Sequence, residues 1–92
     1  MALRNWKVLS WNVRGLNSEK KSEAIRDKII SSSYDIVCLQ ETKKQSFDHQ
    51  FIRNLCPIDF DAFDYIPSLG ASGGSIVIWK SNIFSGTKVF SK

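Results

Sequence analysis

Two cysteines, two prolines and a single histidine are all that this 92-residue chain carries of those types. Cys38 and Cys56 stand in unrelated contexts without metal-ligand spacing, which excludes a zinc site and a disulfide framework. They read as buried thiols in a reducing compartment, so the chain is expected to be intracellular. No apolar run approaches the roughly 20 residues of a membrane span. The opening MALRNWK also lacks the apolar stretch of a secretory signal, and no membrane partner is expected. Internal repeats, low-complexity tracts and linkers are missing as well.

What is present suits one small globular unit. Hydrophobic residues make up 42% of the chain, which argues against disorder. Ninety-two residues suffice for one modest core and no more than one domain. The net charge of +4 is uneven: residues 1–46 hold nine Lys/Arg against five Asp/Glu, and residues 47–92 hold four of each. A basic first half is compatible with a polyanionic partner such as nucleic acid. On charge alone a solvated helix face is the favoured reading, because Lys20, Lys21, Arg26 and Lys28 interleave with Glu19, Glu23 and Asp27.

Strand and helix periods alternate along the chain. Residues 6–13 read as a strand, with Val8, Leu9, Trp11 and Val13 favouring a pleated conformation. Asn17 or Ser18 can cap a helix that runs to about residue 30, with Ile25 and Ile29 on its inner stripe, and the serines at 31–33 break it. The run IVCLQ predicts a strand buried on both faces. Ser46 is a candidate cap for a second helix carrying Phe47, Phe51, Ile52 and Leu55, stopped by Cys56-Pro57. DAFDYI reads as a strand of ambiguous phase, PSLGASGG as a loop, SIVIWK as a strand and TKVFS as a weaker one. Trp11, Val37, Leu39, Val77 and Ile78 are the candidate core.

The first three elements form a β-α-β unit, whose strands are parallel and joined by a right-handed crossover. Parallel strands deliver their C-terminal ends to one edge of a sheet, where ligands of such folds bind. Asn12 and Glu41 close the two strands and should therefore emerge side by side. A carboxylate and an amide oxygen suit Mg²⁺, which takes one or two protein carboxylates and completes its shell with water and phosphate. Arg14 and Lys43, two residues beyond each strand end, could hold phosphates. The plainer alternative has Asn12 capping a turn and Glu41 pairing with a lysine. Asp48-His49 looks like a catalytic dyad, but adjacent residues in the first turn of a helix do not face each other, and His49 reads as a surface residue.

SWNVRGL, then DIVCLQETK, then GASGGSIVIWK, in that order, resemble the opening of an endonuclease/exonuclease/phosphatase domain of the DNase I-like superfamily. The wording is most similar to the endonuclease of plant non-LTR (LINE-type) retrotransposons, and the likeness runs over essentially residues 1–92. The resemblance implies an α/β fold, the N-terminal part of a four-layer α/β/β/α sandwich. It implies Mg²⁺ (or Mn²⁺) as cofactor, DNA as partner and, for a functional protein, a nuclear location. By position, Glu41 resembles the metal-binding glutamate and Asn12 the active-site asparagine beside it. Lys43 resembles a basic position near the scissile strand, and Ser72, Gly73 and Gly74 lie in a rim segment that can approach a nucleic-acid backbone closely.

Two departures qualify what the resemblance implies. Arg14 stands where apurinic endonucleases carry an acidic residue, so a second metal ligand is missing there. The family's later motifs, an active-site tyrosine, a Gly-Asp-Phe-Asn-like strand end, a further motif aspartate and a C-terminal Ser-Asp-His, are not found as motifs in residues 1–92. The expected function is thus the N-terminal part of a metal-dependent DNA phosphodiesterase, inactive alone, with the C-terminal half of the domain as its missing partner. The alternatives are a truncated, non-catalytic remnant that binds nucleic acid through its basic half, and a phosphatase acting on lipid or sugar phosphates. A single apolar sheet without its second layer further predicts marginal stability.

Overall fold

The computed structural model describes residues 7–69 and 73–81; the expected TKVFS strand lies outside them. Four strands and two helices follow in the order β1 (Val8–Asn12), α1 (Glu19–Ser31), β2 (Ile36–Gln40), α2 (His49–Leu55), β3 (Ala62–Ile66) and β4 (Ser75–Trp79). They form one sheet in the order β1-β2-β4-β3. β1 and β2 run parallel with Asn12 opposite Gln40, while β4 lies antiparallel between β2 and β3.

Register puts Leu9 and Trp11, Val37 and Leu39, Ile76 and Ile78, and Phe63 and Tyr65 on one face of the sheet. That face meets Ile25 and Ile29 of α1 and Ile52 and Leu55 of α2 in a single buried cluster. Val37, Leu39 and Ile78 are fully buried there, each side chain stabilising by about 1.5–3 kcal/mol relative to exposure. Trp11 only packs against the margin of this cluster. The same register settles the phase of β3, placing Phe63 and Tyr65 inward.

The expectation that β2 is buried on both faces fails. Val37 and Leu39 are buried, but Ile36 and Cys38, on the opposite face, are only half-buried and Gln40 is exposed. On that second face Val77 and Trp79 are buried, whereas Val8 and Ile66 remain nearly half exposed, at 47% and 48%. A mixed sheet with helices on one side need not cover both faces, and the apolar run of β2 reads equally well in either setting.

Helix ends follow local chemistry. Ser18 caps α1, its hydroxyl accepting from Lys21 N–H at 3.1 Å, and Ser32 is extended and ends it. The cap of α2 is Asp48, not Ser46: the Asp48 carboxylate accepts from Phe51 N–H at 2.9 Å. Phe47 immediately before the cap packs edge-on to the Phe51 ring at 5.5 Å, which fixes the entry angle of the chain. At the far side of the sheet the Asp61 carboxylate accepts from both N–H and O–H of Ser81, at 3.0 and 2.8 Å, clasping the start of β3 to the end of β4.

Both cysteines are free. Burial pushes the Cys56 thiol up to about 12, so it is inert, and raises Cys38 as well.

The cap assignment predicts that Asp48→Ala lowers stability in urea unfolding by about 0.5–2 kcal/mol, whereas Ser46→Ala leaves it unchanged within about 0.5 kcal/mol. The two hydrogen bonds from Ser81 hold the Asp61 carboxyl below its ordinary range. A depressed folded-state value stabilises above the unfolded-state value and is lost as pH falls through the folded one. Tm measured against pH should accordingly fall less steeply in acid for Asp61→Asn than for the parent chain.

Candidate functional site

The parallel ladder does not stop at the formal strand ends. Val13 N–H donates to Gln40 O at 2.9 Å, Gly15 N–H to Glu41 O at 2.7 Å and Leu16 N–H to Thr42 O at 2.9 Å. From the other side Thr42 N–H donates to Gly74 O at 3.1 Å, Lys43 N–H to Gly73 O at 2.9 Å and Ser68 N–H to Lys44 O at 2.9 Å. Residues 41–44 are thus gripped between the turn after β1 and the segment leading into β4. These bonds hold three residues in the left-handed region without being glycine: Arg14 at φ 54°, Glu41 at φ 56° and Lys43 at φ 57°. Each costs about 1–2 kcal/mol for a residue with a Cβ.

Asn12 and Glu41 meet at the mouth of the two strands, where Asn12 Nδ2 donates to Glu41 Oε2 at 2.7 Å. Both side chains are exposed, so neither is fixed by packing. The bond uses one carboxylate oxygen and the amide N–H, and among the described residues the amide oxygen and the second carboxylate oxygen have no partner. Among the described residues no group of three or more His, Cys, Asp and Glu could hold a metal. One carboxylate plus one amide nevertheless fits a cation such as Mg²⁺, which draws most of its shell from water and phosphate.

Arg14 and Lys43 line one open groove together with Gly15, Asn17, Ser18 and Lys21, and no carboxylate lines it. Asn17 Nδ2 reaches Lys43 O at 3.4 Å, tying the two turns together. Lys21 was not foreseen in this groove. Its ammonium donates to Val13 O, because a helical side chain leans back toward its own N-terminus. Its place three residues after the capping Ser18 is the signal that could have found it.

Gly73 and Gly74 lie on the same rim through their bonds to Lys43 and Thr42; Ser72 lies outside the described residues. Both glycines have positive φ, 76° and 91°. They differ in surroundings: a Cβ on Gly73 would meet nothing within 4 Å, whereas one on Gly74 would fall 2.6 Å from Thr42 Oγ1. Only Gly73 opens outward; the space Gly74 leaves is filled from inside the protein. Asp48 and His49 form no dyad. Asp48 caps α2, and the His49 ring stacks edge-on to Phe63 at 5.2 Å.

The sequence model of the Endonuclease/Exonuclease/phosphatase family matches residues 9–90. Among solved structures the chain is similar to the AP endonuclease LMAP from Leishmania major, at 25% identity and a TM-score of 0.59 over 83% of this chain. The match covers 24% of that protein, so this chain spans about a quarter of its length. No curated protein matches. The mixed sheet with both helices on one face agrees with the DNase I-like fold of that neighbour, of which it is an incomplete part. With the family's pattern covering nearly all of its residues, the chain belongs to the endonuclease/exonuclease/phosphatase family.

Proposed function

We propose that this chain is the N-terminal part of a divalent-metal phosphodiesterase that nicks DNA, of the type found in non-LTR retrotransposons. The observation that carries the reading is the 2.7 Å contact between Asn12 and Glu41 at adjacent parallel strand ends, inside the span that matches the family. A solved structure named as an AP endonuclease supports DNA as the substrate class, and a nuclear place of action is compatible with that substrate.

Glu41 and Asn12 would hold Mg²⁺ (or Mn²⁺), which supplies Lewis-acid polarisation of a phosphoryl oxygen when bound. The chain's own residues do the rest of what residues 1–92 offer. Asn12 fixes the rotamer of Glu41 by donating to it. Arg14, Lys21 and Lys43 neutralise phosphates along the groove, with the two turns held in register by Asn17. Gly73, with open space where a Cβ would stand, lets a sugar-phosphate backbone approach the rim. The aspartate and histidine that would activate water and protonate the leaving oxygen in this family do not occur among the residues described here.

A second reading, a non-catalytic nucleic-acid binder, is favoured by the groove itself, whose three cations need no metal to attract a polyanion.

The readings separate in the test tube. The 92-residue chain alone should bind DNA without nicking supercoiled plasmid in Mg²⁺. Three phosphate contacts give log K a slope of about −2 to −3 against log salt, and Lys43→Ala should reduce that slope by about 1. Joined to a C-terminal half of the domain, the chain should nick plasmid. Glu41→Ala should then lower the rate by on the order of 10²-fold or more while leaving binding intact. Retention of nicking by Glu41→Ala would refute the metal-ligand assignment.

A further inference from the structure

Thr42 is completely buried, sits between two left-handed residues, and has a hydroxyl without a hydrogen-bond partner among the described residues; the Ser68 hydroxyl nearby is in the same condition. Two orphaned buried hydroxyls are costly, at about 1–3 kcal/mol each. They lie where Gly74 passes closest to the turn. A Cβ on Gly74 would stand 2.6 Å from Thr42 Oγ1 and 3.3 Å from both Ser68 Cβ and Ser68 N, against ordinary contact from 3.4 Å upward. The side chain of Thr42 therefore occupies the volume that any residue other than glycine would need at position 74.

We infer that Gly74 is a positioning residue for Glu41, acting through Thr42: its bare backbone lets Thr42 seat beneath the turn, and the seated Thr42 fixes the backbone from which the Glu41 carboxylate reaches Asn12. The significance of this rests on the reading of Asn12 and Glu41 as half of a metal-phosphate site. The link is mechanical and short. Gly74 O accepts from Thr42 N–H, so the backbone of 74 and that of 42 move together. A planar peptide joins Thr42 to Glu41, whose own side chain is exposed and has no packing to hold it. The backbone of 41–42 therefore sets where the Glu41 Cα–Cβ bond points, and the hydrogen bond from Asn12 holds the rotamer that starts from there. When Thr42 yields to a new methyl group, the backbone from which Glu41 reaches Asn12 shifts with it, and the 2.7 Å bond between the two lengthens and weakens.

Gly73 provides the control. It shares the positive φ, so alanine there is strained in the same way, but it meets no neighbour. An effect common to Gly73→Ala and Gly74→Ala is backbone strain; an effect of Gly74→Ala alone is the contact with Thr42.

The test uses the Asn12 side-chain amide resonance of the ¹⁵N-labelled 92-residue chain, whose shift reports the bond to Glu41, with Glu41→Gln as the reference for its weakening. Gly74→Ala should move the resonance toward the Glu41→Gln position, Gly73→Ala should leave it, and Thr42→Ala/Gly74→Ala, in which the new methyl fills vacated space, should return it. An unmoved resonance in folded Gly74→Ala, or an equal move in Gly73→Ala, overturns the inference. Should Gly74→Ala not fold, Thr42→Ala and Thr42→Val decide. Emptying the seat moves the resonance and refilling it with an isostere does not; no movement in Thr42→Ala overturns the inference. None of these outcomes depends on nuclease activity, so failure of the half-site reading and failure of the positioning contact are seen separately.

Discussion

The parallel pairing of β1 with β2 is the constraint from which the rest follows. It requires a crossover, which α1 supplies, and it delivers two strand ends to one edge with Asn12 opposite Gln40. Without that register the Asn12 amide and the Glu41 carboxylate would have no reason to meet. The pairing continues as the bonds of Gly15 and Leu16 to residues 41 and 42, so the sheet and the site are one hydrogen-bonded object. β4 then closes the arrangement from the other side, because its leading glycines accept from Thr42 and Lys43.

Much of this could be read from residues. Apolar strands flanking an amphipathic segment announce the β-α-β unit, and parallel strands are enough to put Asn12 and Glu41 together. Ser18 was one of two possible caps. The second helix was harder, since Ser46 and Asp48 are both good caps and Phe47 suits either side of the boundary. Its packing against Phe51 selects Asp48. The double burial expected of β2 failed because an apolar run states only that a strand can be covered, and the second face here is covered over Val77 and Trp79 but open at Val8 and Ile66.

The turns were illegible for a different reason. The usual sign of a left-handed residue is glycine or asparagine, and positions 14, 41 and 43 carry arginine, glutamate and lysine. Long-range bonds from residues 15–16 and 73–74 impose the conformation, and a sequence gives no account of such partners. Thr42 was invisible for the same reason: its importance lies in what stands opposite it, thirty-two residues away.

The bond between Asn12 and Glu41 also governs how the site behaves at rest. A carboxylate that already accepts from an amide is no bare charge awaiting a counter-ion, and the scaffold that holds it is a backbone ladder. On the proposed reading, a cation arriving here would join a pair that is already made, in contrast to structural metal sites, whose folding free energy is the binding free energy. Chelation would accordingly empty the site without unmaking the strand ends. On the proposed reading, the strand ends would present the same pair whether or not an ion is bound.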